Sequence, residues 1–127
     1  MAMLLSRESL PNDRPYLIRG YGEGYIDIDQ ERHRESLILS PKVLHRSWGP
    51  DQAADLSLES LSIALRLDPA ILLIGTGPTC TFLAPFLLAA IQERHIGVEV
   101  MDTPSACRTY NILAMDSRPV VAALLVP

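Results

Sequence analysis

Two short segments hold most of the residues in this 127-residue chain whose types and spacing could do chemistry. The first is Gly75-Thr76-Gly77, which follows the apolar run Ala70 to Ile74 and precedes a helix-like stretch. A strand, a Gly-x-Gly turn and a helix together present backbone N–H groups to an anion. The run departs from the dinucleotide fingerprint, because Cys80 stands where that pattern has a small third residue and Pro78 removes one donor. No Gly-Lys-Ser/Thr follows, which excludes a Walker loop. Two readings stay open: ligand approach to the turn, or a tight strand-to-helix connection.

The second segment runs from Asp102 to Asn111 and also opens a helix after a strand. Asp102 or Thr103 can cap the free N–H groups of its first turn, and Pro104 suits the first helical position. Thr103, Cys107 and Asn111 recur at four-residue spacing and form a polar stripe, with Ala106, Tyr110 and Leu113 on the apolar face. Cys107 stands beside Arg108 near the positive end of the helix dipole, and both features lower a thiol pKa. The functional reading is an anion or partner site using Thr103, Arg108 and Asn111. The alternative is a capped helix with an inert core cysteine. The candidate binding residues are therefore Gly75, Thr76, Gly77, Asp102, Thr103, Cys107, Arg108, Thr109 and Asn111.

No catalytic set accompanies these residues. A nucleophilic Cys107 needs a base, and none of His33, His45 and His95 has spacing that directs it there. Two distant cysteines and three scattered histidines give no metal-ligand spacing, so neither a metal nor a cofactor is expected. Asp27, Asp29 and Glu31 share a period of two and read as a solvated strand edge. Gly20-Tyr-Gly-Glu-Gly24 reads as a hairpin bulge rather than a nucleotide loop. Trp48, before Gly49-Pro50, reads as a core anchor beneath the hairpin.

The elements that must position these residues change character along the chain. Residues 17 to 48 read as strands. Tyr16-Leu-Ile-Arg leads to the glycines, Tyr25 to Asp29 alternates apolar and polar residues, Asp29 to His33 is a polar turn, and Ser36 to Ser40 is a strand stopped by Pro41. These three short strands predict an antiparallel meander. Residues 50 to 68 connect with some helix around Leu58, Leu61, Ile63, Ala64 and Leu65, before Asp68-Pro69 breaks the chain. The second half predicts βαβαβ: strand Ala70–Ile74, helix Cys80–His95, strand Gly97–Met101, a helix from Thr103 to about Met115, and strand Pro119–Val126. Within the first of these helices, Phe82, Leu83, Phe86, Leu87, Ala90 and Ile91 make the apolar face. The fold class is α/β, a three-layer domain with a mostly parallel central sheet, helices on its faces and an added N-terminal β-hairpin or meander. The early strands either extend that sheet or pack on it as a flap.

The composition agrees with one soluble domain. The chain is 48% hydrophobic and 20% charged, which excludes disorder. The longest apolar stretch, Phe82 to Ile91, is far shorter than the ~20 residues of a membrane span. Net charge is −4 with no basic run, which argues against nucleic acid as a partner. Ten of the eleven bases are arginine and Lys42 is the only lysine, which reads as coding bias. Residues 1–15 are polar, hold Pro11 and Pro15, and read as a flexible N-terminal arm before one domain over 16–127. The N-terminus carries no signal or mitochondrial pattern, so the expected location is the cytoplasm with reduced thiols.

Gly20-Tyr-Gly-Glu-Gly, Ser36-Leu-Ile-Leu-Ser-Pro, Trp48, Ile71-Leu-Leu-Ile-Gly-Thr-Gly, Gly97-Val-Glu-Val-Met-Asp-Thr and Ala106-Cys-Arg-Thr-Tyr-Asn-Ile-Leu occur in this order, with an Arg118 to Leu125 ending. Together they resemble a small α/β domain family of unknown function whose best-known member is the mitochondrial respiratory complex I assembly factor 3. The similarity covers about residues 16 to 126. It implies a three-layer domain with a β-hairpin layer and no established enzyme activity. The motif positions it carries over are Gly75, Thr76, Gly77, Asp102, Thr103, Cys107, Arg108, Thr109, Tyr110 and Asn111. Pro104-Ser105 departs from the small residues expected before Ala-Cys-Arg, and the missing targeting segment fits a bacterial protein. The leading functional expectation is a non-enzymatic interaction or assembly module with protein partners. The alternative is a binder, or an enzyme, for a small anionic ligand or nucleotide at the Gly75–Gly77 and Asp102–Asn111 turns.

Overall fold

The computed structural model describes residues 4–6 and 14–127. Most of the arm expected over residues 1–15 lies outside the described residues. Leu4–Ser6 forms a strand, β1, antiparallel to β6 (Val43–His45).

The middle layer is a six-stranded sheet in the order β1-β6-β5-β9-β7-β8. Here β5 is Leu37–Leu39, β7 Ile71–Thr76, β8 Gly97–Met101 and β9 Val120–Leu125. As the βαβαβ pattern predicts, β7 runs parallel to both β8 and β9. The sheet as a whole is mixed, because β5, β6 and β1 extend it antiparallel. For β5 and β6 the reason is local. Ser40 N–H donates to Val43 O across 2.8 Å, and a turn that short can join only antiparallel neighbours.

Strand alternation sorts the apolar residues onto two faces. Leu37, Leu39, Leu73, Val120, Ala122 and Leu124 point to one core, and Ile38, Leu72, Ile74, Val121, Ala123 and Leu125 to the other. The second core is closed by the short helix α1 (Ser62–Leu65) and by α2 (Pro85–Gln92), through Leu61, Ala64, Leu65, Leu87 and Ile91. The first is closed by α3 (Thr103–Met115) together with a second, three-stranded antiparallel sheet. That sheet contains β2 (Ile18–Gly22), β3 (Tyr25–Ile28) and β4 (Glu31–His33), with a register shift between Ile18 and Gly20. Both fates foreseen for the early strands thus occur, one extending the sheet and one forming a flap.

Four expectations need correction. The third strand of the flap is Glu31–His33, read from sequence as a polar turn; Ser36–Ser40 supplies β5 of the large sheet instead. The ladder pairs Ile26 with His33, and Arg32 closes it with a two-pronged ion pair to Asp27 at 2.8 and 3.0 Å, so this polar triplet is held as strand by its partners. The helix predicted from Cys80 begins only at Pro85, because the ring of Pro85 drives Ala84 to extended geometry (φ −58°, ψ 130°). Trp48 is a core residue but lies in the core on the α1–α2 face, away from the flap, with its indole N–H donating to Ser60 O at 2.7 Å. The apolar face assigned to Phe82 and Phe86 is in fact solvent-exposed, while Leu87 and Ile91 are buried.

Candidate functional site

Because β7 and β8 are parallel neighbours, the turns that follow them lie side by side at the carboxyl edge of the sheet. Thr103, the first residue of α3, ties this edge together. Its backbone N–H donates to Gly77 O at 2.8 Å. Its hydroxyl accepts the Gly77 N–H at 2.8 Å and donates to Leu125 O at 2.6 Å. One fully buried threonine therefore links the ends of β7 and β9 to the start of α3. Gly75 makes room for it: a Cβ there would stand 2.9 Å from Thr103 Oγ1 and 3.1 Å from Thr103 Cα. Gly77 adopts φ +102°, which favours glycine. The Thr76 hydroxyl donates to Thr79 O at 2.7 Å and accepts the Thr81 N–H at 3.0 Å, which shapes the loop ahead of Pro85.

The α3 segment is equally engaged. Asp102 is the N-cap and accepts the Ser105 N–H at 2.7 Å and the Ser105 hydroxyl at 3.0 Å. Those bonds hold its carboxyl below the usual carboxylate range. Arg108 donates to the Tyr21 hydroxyl at 2.5 Å and to Ser105 Oγ at 3.2 Å, joining α3 to the flap. Tyr110 OH donates to Tyr16 O at 2.8 Å. Asn111 uses its carboxamide as a piece of strand, accepting from Ile18 N–H and donating to Ile18 O, both at 2.8 Å. Thr109 is half-buried on the same helix.

Cys107 departs from the sequence reading. The thiol is 1% exposed and packs in the first core beside Ala106 and Tyr110. Desolvation outweighs the opposing influence of Arg108 and pushes its pKa up to about 12, where a lowered value was expected. Thr103 and Cys107, expected on a polar stripe, share the buried side of α3 with Ala106 and Tyr110. Among the described residues no group of histidine, cysteine, aspartate and glutamate is arranged to hold a metal ion.

A different feature stands out on the surface beside α2. Phe82 is 96% exposed and Phe86 78% exposed, next to a groove of about 350 Å³. Ala53, Leu56 and Leu58 form one bank, and Leu83, Phe86 and Leu87 the other. The available signal was Pro85, which breaks the helical phase on which Phe82 was placed. A larger cavity of about 510 Å³ lies far from both turns, near Pro41, Lys42, Pro69 and Arg118.

Residues 18–125 match a family described as "Protein of unknown function (DUF498/DUF598)". The chain belongs to that family. Among relatives, NADH dehydrogenase [ubiquinone] 1 alpha subcomplex assembly factor 3 of Danio rerio is 40% identical over 92 residues, covering 71% of this chain and 52% of the relative. The chain spans about half the length of the assembly factor 3 relatives from fish, cow and mouse. A crystal structure of a Bordetella parapertussis protein superposes with a TM-score of 0.86 at 36% identity, covering 92% of this chain and all of that one (100%). The solution structure of a Bordetella pertussis Mth938-like domain gives 0.78 at 31% identity, covering 87% and 85%. The DUF498/DUF598 match includes every residue of the two turns and of the α3 network described above, Tyr16 excepted. Among the described residues, no helix is long and apolar enough to cross a membrane.

Proposed function

We propose that this DUF498/DUF598 domain is a non-enzymatic interaction and assembly module that works by binding protein. The observation that carries the reading is the engagement of the two turns. The Gly77 N–H, the Thr103 and Thr76 hydroxyls, the Asp102 carboxylate and the Asn111 carboxamide all pair within the fold. An anion would have to displace those bonds, and each buried group so freed costs about 1–3 kcal/mol. The names of the assembly factor 3 relatives support the same reading. The acting unit in this proposal is the α/β domain over residues 16–127, in the cytoplasm of a bacterium. The solved bacterial relatives support the bacterial source, and the free thiols of Cys80 and Cys107 support a reducing compartment.

Two measurements test the reading. Tagged protein captured from its native lysate should retain a protein partner in fixed stoichiometry, and repeated capture of none would overturn it. A thermal-shift screen against nucleotides and phosphorylated metabolites should stay flat. A ligand present at 100 times its dissociation constant would add about 2.7 kcal/mol of stability and return the turns to the role of a ligand site.

A further inference from the structure

We propose that the groove between residues 53–58 and 81–87 is the docking site for an amphipathic helix of a partner protein, one that carries basic residues beside its apolar face. The inference rests on the assembly reading and adds where the partner binds and what chemistry it presents.

The apolar side is explicit. No charged residue stands between Asp68 and Glu93. Pro85 starts α2 too late to bury Phe82, and it leaves Phe86 on the outer face of the first turn. Two phenylalanines 96% and 78% exposed beside Leu58 and Leu83 make a contiguous apolar patch, of the kind that marks interaction surfaces. Aromatic anchors of this type dominate binding energy where a partner covers them.

The charge of the bank opposite selects the occupant. Asp51, Asp55 and Glu59 flank and interrupt the lining residues 53–58 in sequence and are exposed, the segment 51–65 contains no lysine or arginine, and none of the three acids has an ion pair among the described residues. A complementary partner brings lysine or arginine to that bank. A second copy paired two-fold through this face brings no basic residue to that bank, which would meet either the other acidic bank or the charge-free segment 81–87. An anionic lipid surface would be repelled by that bank. The groove walls are side chains of α2 and of a turn, with no strand edge offered. An incoming backbone must then satisfy its own hydrogen bonds, which a helix does.

The test uses a designed amphipathic helix of about 18 residues, five turns, with a leucine face flanked by lysine, and its counterpart with glutamate in place of lysine. Titration into the full chain is followed by its amide nitrogen–proton correlation spectrum. The lysine peptide should shift resonances of residues 53–58 and 81–87 saturably, and the glutamate peptide should bind at least about tenfold more weakly. The double variant F82S/F86S should keep its melting temperature, since both rings are exposed, and lose the binding. Charge reversal in D55K/E59K should invert the preference between the two peptides. Absence of binding, equal affinity for both peptides, or shifts mapped elsewhere would overturn the proposal. So would self-association in sedimentation that F82S/F86S abolishes, or binding to mixed phosphatidylcholine and phosphatidylglycerol vesicles in preference to the lysine peptide. If F82S/F86S still captures the lysate partner, the groove is wrong and the assembly reading stands. If the wild-type protein captures none, the assembly reading itself falls.

Discussion

Asn111 pairs with both backbone groups of Ile18, accepting its N–H and donating to its carbonyl at 2.8 Å each. A side chain on α3 thereby acts as the missing neighbour of β2 and fixes the flap to the helix. Asn111→Leu leaves the N–H and the carbonyl without partners, at about 1–3 kcal/mol each. The variant should lose about 2–4 kcal/mol in urea unfolding, and the Ile18 amide should exchange much faster with solvent. Asn111→Asp keeps the acceptor and should lose less. A stability equal to wild type in the leucine variant would show that the flap docks by apolar contact alone.

Thr103 and Gly75 form a matched pair at the sheet edge. Thr103→Val removes the hydroxyl that serves Gly77 N–H and Leu125 O, and should cost about 2–4 kcal/mol, while Thr103→Ser should cost less than half of that. Gly75→Ala pushes a methyl against Thr103 Oγ1 and backbone, and should cost about 1–3 kcal/mol by overpacking. Chemical denaturation of the three variants ranks them; a neutral Gly75→Ala would show that α3 can shift outward freely.

The two thiols should differ sharply in reactivity. Cys80 is exposed and Cys107 is buried with its pKa pushed up to about 12. A colorimetric disulfide reagent should titrate one thiol in the native protein and the second only on unfolding, and Cys80→Ser should abolish the fast reaction. Fast labelling of Cys107 in the native state would contradict its place in the core.

Acid should weaken the fold through its histidines. His33 and His45 are buried, and desolvation lowers both below the ordinary 6.5. Glu31 lies 3.2 Å from His33 Nε2 without hydrogen-bond geometry, and opposes the shift. Neither ring nitrogen of His45 has a hydrogen-bond partner among the described residues, and Arg66 adds to its shift. A lowered folded pKa means the unfolded chain takes up protons first. This stabilisation is therefore complete above about pH 6.5 and is lost as pH falls from there through the folded values. Melting temperature should drop between about pH 7 and about pH 5, and the drop should shrink in His45→Phe. An unchanged slope in that variant would assign the effect to other groups.

How far the sequence reveals the fold depends on whether a signal is local. The start of α3 is legible from Asp102, Thr103 and Pro104, since a cap and a proline act within one turn. The strands β7 and β9 are legible as unbroken apolar runs, and their parallel pairing follows from the crossovers. Glu31–His33 is illegible as strand because its register comes from Ile26 and its closure from Asp27, on another segment. The same holds at the candidate site. The neighbours of Cys107 in sequence argue for a thiolate, and its burial in the first core reverses the sign. The exposure of Phe82 was readable in principle, from the one proline that interrupts its helical spacing.

The strand β9 stands between β5 and β7, so Leu37 finds Leu124 across most of the chain and Ile71 finds Val120 beyond two intervening helices and a strand. During synthesis the β5–β6 hairpin and the β7–β8 pair emerge first and share no strand boundary. Each leaves one row of backbone donors and acceptors open until residues 120–125 clear the ribosome. The domain therefore joins its two halves only once β9 has emerged, and a chain that stalls before β9 exposes to its neighbours the two strand edges, of β5 and of β7, that β9 covers in the finished fold.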